Sequence, residues 1–95
     1  MIAYQADIPP HVGQIIRHFP PDLKRSIKSA LKVLGENPYK GTPLLAPLKG
    51  FWKYRVKRYR LVCSIDQHRR IIRVLAVGRR SRIYEEVAAL ARKFK

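Results

Sequence analysis

Hydrophobic residues along this chain follow two different periods. In the first third, Val12, Ile15, Ile16 and Phe19 recur at i, i+3, i+4 and i+7, which is one face of a helix. Pro9-Pro10 precedes that run, and proline is tolerated in a helix's first turn. Pro20-Pro21 closes it and opens a second helix. There Leu23, Ile27, Ala30, Leu31 and Leu34 make the apolar stripe, while Lys24, Arg25, Lys28 and Lys32 fall on the solvated side. Gly35 reads as the C-terminal stop, with Pro38 just beyond. Two helices joined by so short a turn predict an αα-hairpin. From residue 51 the period changes to two. Trp52, Tyr54 and Val56 alternate with Lys53, Arg55 and Lys57. Successive residues of a strand point to opposite faces, so one face is apolar and the other cationic.

The same reading places three strands at about 52–57, 59–66 and 71–77, with a hairpin turn at Gln67-His68-Arg69. A short apolar start, residues 1–5, reads as a further strand. Residues 37–50 hold Pro38, Gly41, Pro43, Pro47 and Gly50 and read as a loop. Gly78 breaks the last strand. Ser81 then caps a final helix carrying Ile83, Val87, Leu90 and Phe94 on one face. The expected order is β-α-α-β-β-β-α. This is an α+β domain with a small antiparallel or mixed four-stranded sheet, an N-terminal αα-hairpin and a C-terminal helix, the helices on one side of the sheet. Residues 1–95 are expected to form a single domain.

Composition changes the picture through charge. The hydrophobic fraction of 46% is ordinary for a folded protein, but the formal net charge is +15. Self-repulsion at that level destabilises a compact state, so a polyanionic or acidic partner is implied. A membrane is the weakest candidate. No apolar stretch approaches the roughly 20 residues that span a bilayer, and the N-terminus lacks the layout of a signal peptide. Cys63 is the only cysteine, which excludes an internal disulfide and fits a reducing cytoplasm. It falls on the apolar side of a strand and reads as a small buried hydrophobe.

The inventory for catalysis is narrow. His11, His18 and His68 have no metal-ligand spacing, so no metal site and no small-molecule cofactor are expected. The only adjacent carboxylates, Glu85 and Glu86, point in different directions on a helix. A two-metal nuclease needs clustered acids. Cations are plentiful instead. From Phe51 to Arg82 there are 11 Lys/Arg and one acid, Asp66. Lys53 and Arg55 are same-face neighbours on one strand, Arg60 follows Tyr59 on the next, and Arg79 and Arg80 follow Gly78. Tyr84 comes four residues after Arg80. If the strands are neighbours, these cations converge on one side of the sheet.

The segments L-K-G-F-W-K-Y-R-V, R-Y-R-L-V-C-S-I and V-L-A-V-G-R-R-S-R-I-Y resemble the RelE/ParE superfamily of type II toxins, and within it the RelE-like mRNA endonucleases. The resemblance implies a cytoplasmic toxin that cleaves mRNA in the ribosomal A site. The nucleotide's 2′-OH would attack the adjacent phosphate without a metal. It implies catalytic roles for Lys53, Arg55, Arg60, Arg80 and Tyr84, and RNA contacts for Lys57, Arg58, Arg79 and Arg82. The partners implied are the ribosome with its mRNA and a cognate antitoxin with an acidic or amphipathic segment. Two positions depart from the pattern. Arg55 stands where many relatives carry lysine, and arginine does not serve as a base. Arg79 stands where histidine is common. A ParE-like toxin that inhibits DNA gyrase without nuclease activity is the alternative, because one fold serves both.

Overall fold

Paired prolines start both N-terminal helices. The computed structural model describes residues 3–46, 48–79 and 82–93, with side chains in the last stretch at 83–85 and 87–89. Helix α1 is Pro10–Arg17 and α2 is Pro21–Glu36, each with proline in its first turn. α2 buries Leu23, Ile27, Ala30 and Leu34, the stripe its period predicts. On α1, Val12 is fully buried, but Ile15 is 43% exposed although it shares the period. Gly35 does not end α2. It lies inside the helix, buried, and its carbonyl accepts the Ala3 and Tyr4 backbone N–H groups at 3.0 and 2.7 Å. The helix stops because Asn37 is extended and Pro38 follows, and a residue before proline is driven out of the helical region.

The strands are β1 (Gln5–Asp7), β2 (Thr42–Pro43), β3 (Phe51–Val56), β4 (Tyr59–Asp66) and β5 (Ile71–Gly78). They form one mixed sheet in the order β1-β5-β4-β3-β2. β1 runs parallel to β5 and the other pairs are antiparallel. The sheet therefore has five strands where four were expected. The fifth, β2, is a two-residue edge strand inside the proline-rich loop, where Pro43 needs no ladder N–H. The first strand starts at Gln5, not at residue 1, because the chain before it is tied to the end of α2. Residues 1 and 2 lie outside the described set.

The final helix, α3, is Arg82–Lys93. It does not share a side of the sheet with α1 and α2, which corrects the expected layering. Leu61 and Cys63 pack with Val12, Ile27 and Leu34 in one cluster. Val62, between them on β4, packs with Ala76, Leu48 and the α3 residues Ile83 and Val87 in a second. Neighbouring strand residues face opposite ways, so α3 covers the face away from the hairpin. A bulge at Val62/Cys63 in the β4–β5 ladder adds one residue to β5 and sets both faces in register.

Candidate nucleic-acid interface

The β3–β4 hairpin fixes the cationic residues relative to one another. Arg55 is directly opposite Arg60, Lys53 opposite Val62, and Arg60 opposite Gly78 on β5. Directly paired residues share a face with Cβ atoms about 5 Å apart. Lys53, Arg55 and Arg60 therefore sit on the α3 side of the sheet, beside the apolar patch of Phe51, Val62 and Tyr84. Lys53 and Arg60 are half-buried and Arg55 is exposed. Among the described residues the two ion pairs are Asp7–Arg73 and Asp22–Arg25, so no carboxylate neutralises these three cations. Like charges directly opposite destabilise a sheet. Holding Arg55 against Arg60 without an acid is a structural cost that a bound anion would remove.

Each cation is positioned by backbone. Lys53 is flanked by Thr42 of β2 and Val62 of β4. Gly41, just before β2, lies so close that a Cβ there would sit 2.6 Å from the Lys53 carbonyl oxygen. Only glycine permits that approach, and sequence reasoning gave it no role. The Arg55 Nε donates to the Lys57 carbonyl at 3.0 Å, bracing the β3–β4 turn. Arg60 Nη1 donates to the Arg79 carbonyl across 3.5 Å, a long contact.

The other residues singled out in the sequence fall in different places. Lys57 and Arg58 are exposed at the tip of the β3–β4 hairpin. The Arg79 guanidinium lies 5.9 Å from the centre of the Tyr59 ring, within cation–π range. Tyr59 packs tilted against Phe19, ring centres 4.9 Å apart, on the helical-hairpin side, so the Arg79 side chain leans away from Lys53 and Arg60. Arg80 lies outside the described residues, as does the side chain of Arg82. Tyr84 packs on the candidate face, half-buried, with its hydroxyl buried and no hydrogen-bond partner among the described residues. Cys63 is buried, and burial pushes its thiol up to about 12, which leaves it unreactive as a nucleophile at neutral pH. Among the described residues no three His, Cys, Asp or Glu side chains come together, and no helix is long and apolar enough to cross a membrane.

Fold and site together define a small basic α+β domain with a cationic sheet face partly covered by its last helix. The family model described as "ParE toxin of type II toxin-antitoxin system, parDE" matches residues 11–84. The chain belongs to that family of toxins, within the RelE/ParE superfamily. Its fold is similar to that of a double mutant of the Escherichia coli toxin RelE in the free state. That match has a TM-score of 0.76 and 23% identity, over 96% of this chain and 98% of that one. It is also similar to a chain of the RelBE2 toxin–antitoxin complex from Mycobacterium tuberculosis, at TM-score 0.75 and 23% identity, over 83% of this chain and 100% of that one. A chain of the archaeal RelE–RelB complex from Pyrococcus horikoshii OT3 matches at TM-score 0.70 and 19% identity, over 85% and 99%. A search of curated proteins finds no match.

Proposed function

We propose that this toxin is an endoribonuclease that cleaves mRNA in the ribosomal A site, using side-chain cations to carry the charge of the reaction. The carrying observation is the convergence of Lys53, Arg55 and Arg60 on one face beside Tyr84, with no carboxylate paired to them among the described residues. The 2′-oxygen attacks the neighbouring phosphorus and loses its proton. The bond from phosphorus to the 5′-oxygen breaks, that oxygen gains a proton, and a 2′,3′-cyclic phosphate remains. The pentavalent intermediate is more negative than the ground state, so preplaced cations stabilise it selectively. Arg60 supplies bidentate donors to the phosphate oxygens. Lys53 takes the 2′-OH proton or donates to the phosphate, a role Arg55 cannot fill as a base. Arg80, two residues after Gly78 in the sequence, is a second phosphate donor in this reading. Tyr84 can reach substrate only if α3 shifts, because its hydroxyl is buried in the closed arrangement. The natural inhibitor is a cognate antitoxin whose acidic or amphipathic segment covers this face or displaces α3.

The family match favours a second reading, a ParE-like toxin that acts on DNA gyrase. Translation in a cell-free extract separates the two. The nuclease reading expects mRNA cut at the A-site codon, with DNA intact. Intact mRNA with double-strand breaks in DNA would establish the gyrase reading instead.

A further inference from the structure

Trp52 is the one tryptophan of the chain, and among the described residues it joins neither core cluster. It faces the helical-hairpin side, because its partner across the β3–β4 ladder is Cys63 of the first cluster. Lys53, the next residue of β3, faces the other way. Tyr39, in the 3₁₀ turn Pro38–Lys40 that follows α2, packs against Trp52 near a right angle. Their ring centres are 5.3 Å apart and their planes 72° apart. Tyr39 is 41% exposed and Trp52 is half-buried. Such rings usually give their area to a core or to an interface.

The corner between the two rings opens into a groove of about 560 Å³, completed by Ile65, Asp66, Gln67 and His68. That volume is within the range of small-ligand sites. Gln67 Nε2 donates to the Tyr39 hydroxyl, which ties one ring to the β4–β5 turn. Asp66 is the one acid between Phe51 and Arg82. Exposed Lys40, Arg69 and Arg70 are close to it or to Tyr39 along the chain, yet Asp66 is in neither ion pair among the described residues. Its Oδ1 accepts the Arg69 backbone N–H at 3.0 Å instead. A carboxylate has about four acceptor positions, so most of that capacity remains open.

We propose that this groove binds an unpaired guanine of single-stranded RNA, with its ring against Trp52 and Tyr39 and its Watson–Crick edge on Asp66. The inference rests on RNA being the partner and does not depend on cleavage. Stacking on aromatic rings accepts any base. Guanine alone among the four RNA bases presents two adjacent N–H donors on that edge, at its 1 and 2 positions. An acceptor-only carboxylate matches that pair. Lys40, Arg69 and Arg70 supply charge for the flanking phosphates. Two rings and an acid also suit a cationic side chain, but these basic neighbours and the net charge of +15 repel one.

Trp52 fluorescence reads the site directly, because a base stacked on the indole quenches it. The full-length protein is titrated with the single-stranded pentaribonucleotides UUGUU, UUAUU, UUUUU and UUIUU. Inosine, in the last, lacks the 2-amino group of guanosine. All four carry the same charge, so differences among them report the central base. UUGUU should quench, and should bind at least about fivefold more tightly than UUAUU or UUUUU. UUIUU should fall between. Asp66→Asn keeps an acceptor for the Arg69 N–H, so the turn persists, and the variant should lose the guanine preference while still being quenched. Circular dichroism establishes that it is folded, and if it is not, the inosine comparison decides alone. The proposal is overturned by an absence of quenching with UUGUU, by equal affinity for UUGUU and UUIUU, or by an Asp66→Asn protein that keeps the full preference. Quenching by arginine amide with none by UUGUU also overturns it, and would mark a seat for a protein partner's cation. A parent that shows the guanine preference yet cuts no mRNA would sustain this groove and refute the nuclease reading. A parent that cuts mRNA on the ribosome without the quench would refute the groove alone.

Discussion

Gly41 is the residue on which the placement of Lys53 turns. A methyl group at that position would meet the Lys53 carbonyl oxygen at 2.6 Å, and a backbone atom in a paired strand cannot step aside easily. Gly41→Ala should push β2 off β3, lower stability by roughly 1–3 kcal/mol and reduce cleavage. Thermal denaturation beside a cleavage assay checks this, and an alanine variant with the parent's melting temperature would sink it. That Lys53 and Arg55 share a face was legible from the period of two. Their meeting with Arg60 followed once 52–57 and 59–66 were read as adjacent strands. Gly41 was not legible, because its constraint comes from the pairing of Thr42 with Lys53, and a two-residue edge strand leaves no period to read. The lean of Arg79 toward Tyr59 was hidden for a similar reason. It depends on how the end of β5 meets the helical layer, which no spacing encodes.

Among the elements, the β3–β4 hairpin carries a local strain. Lys57 in its turn has φ 56°, in the left-handed region, which costs an L-residue roughly 1–2 kcal/mol. Lys57→Gly relieves that strain and removes one charge. The Arg55 contact is to the Lys57 backbone, so it survives the change. Urea denaturation should find the variant as stable as the parent or up to about 1 kcal/mol more stable, while its affinity for RNA falls. A loss of stability would show that the lysine side chain, not the backbone, holds the turn. Helices and strands were legible from the 3.6 and 2.0 periods together with the prolines that punctuate them. The side on which α3 packs was misread because the sheet was taken to have one apolar face. The sign to the contrary is the contiguous run Leu61-Val62-Cys63, each residue at most 3% exposed. An unbroken apolar run marks a strand covered on both faces.

At the scale of the whole molecule, cations lie on both outer layers with the sheet between them. Lys53, Arg55 and Arg60 are on the α3 side, and Lys24, Lys28 and Lys32 on the hairpin side. The α3 helix packs on the same side of the sheet as Lys53 and Arg60, and the Tyr84 hydroxyl is buried there. The central claim is that the cations of the sheet face stabilise charge that develops only during the reaction. Single-turnover cleavage by Arg60→Ala on a programmed ribosome, with ribosome binding measured in parallel, tests it most directly. The account predicts a rate lower by about 10²–10³ with affinity nearly unchanged, because binding is spread over many cations. An Arg60→Ala protein that cleaves as fast as the parent, or that loses binding in proportion to rate, would contradict it.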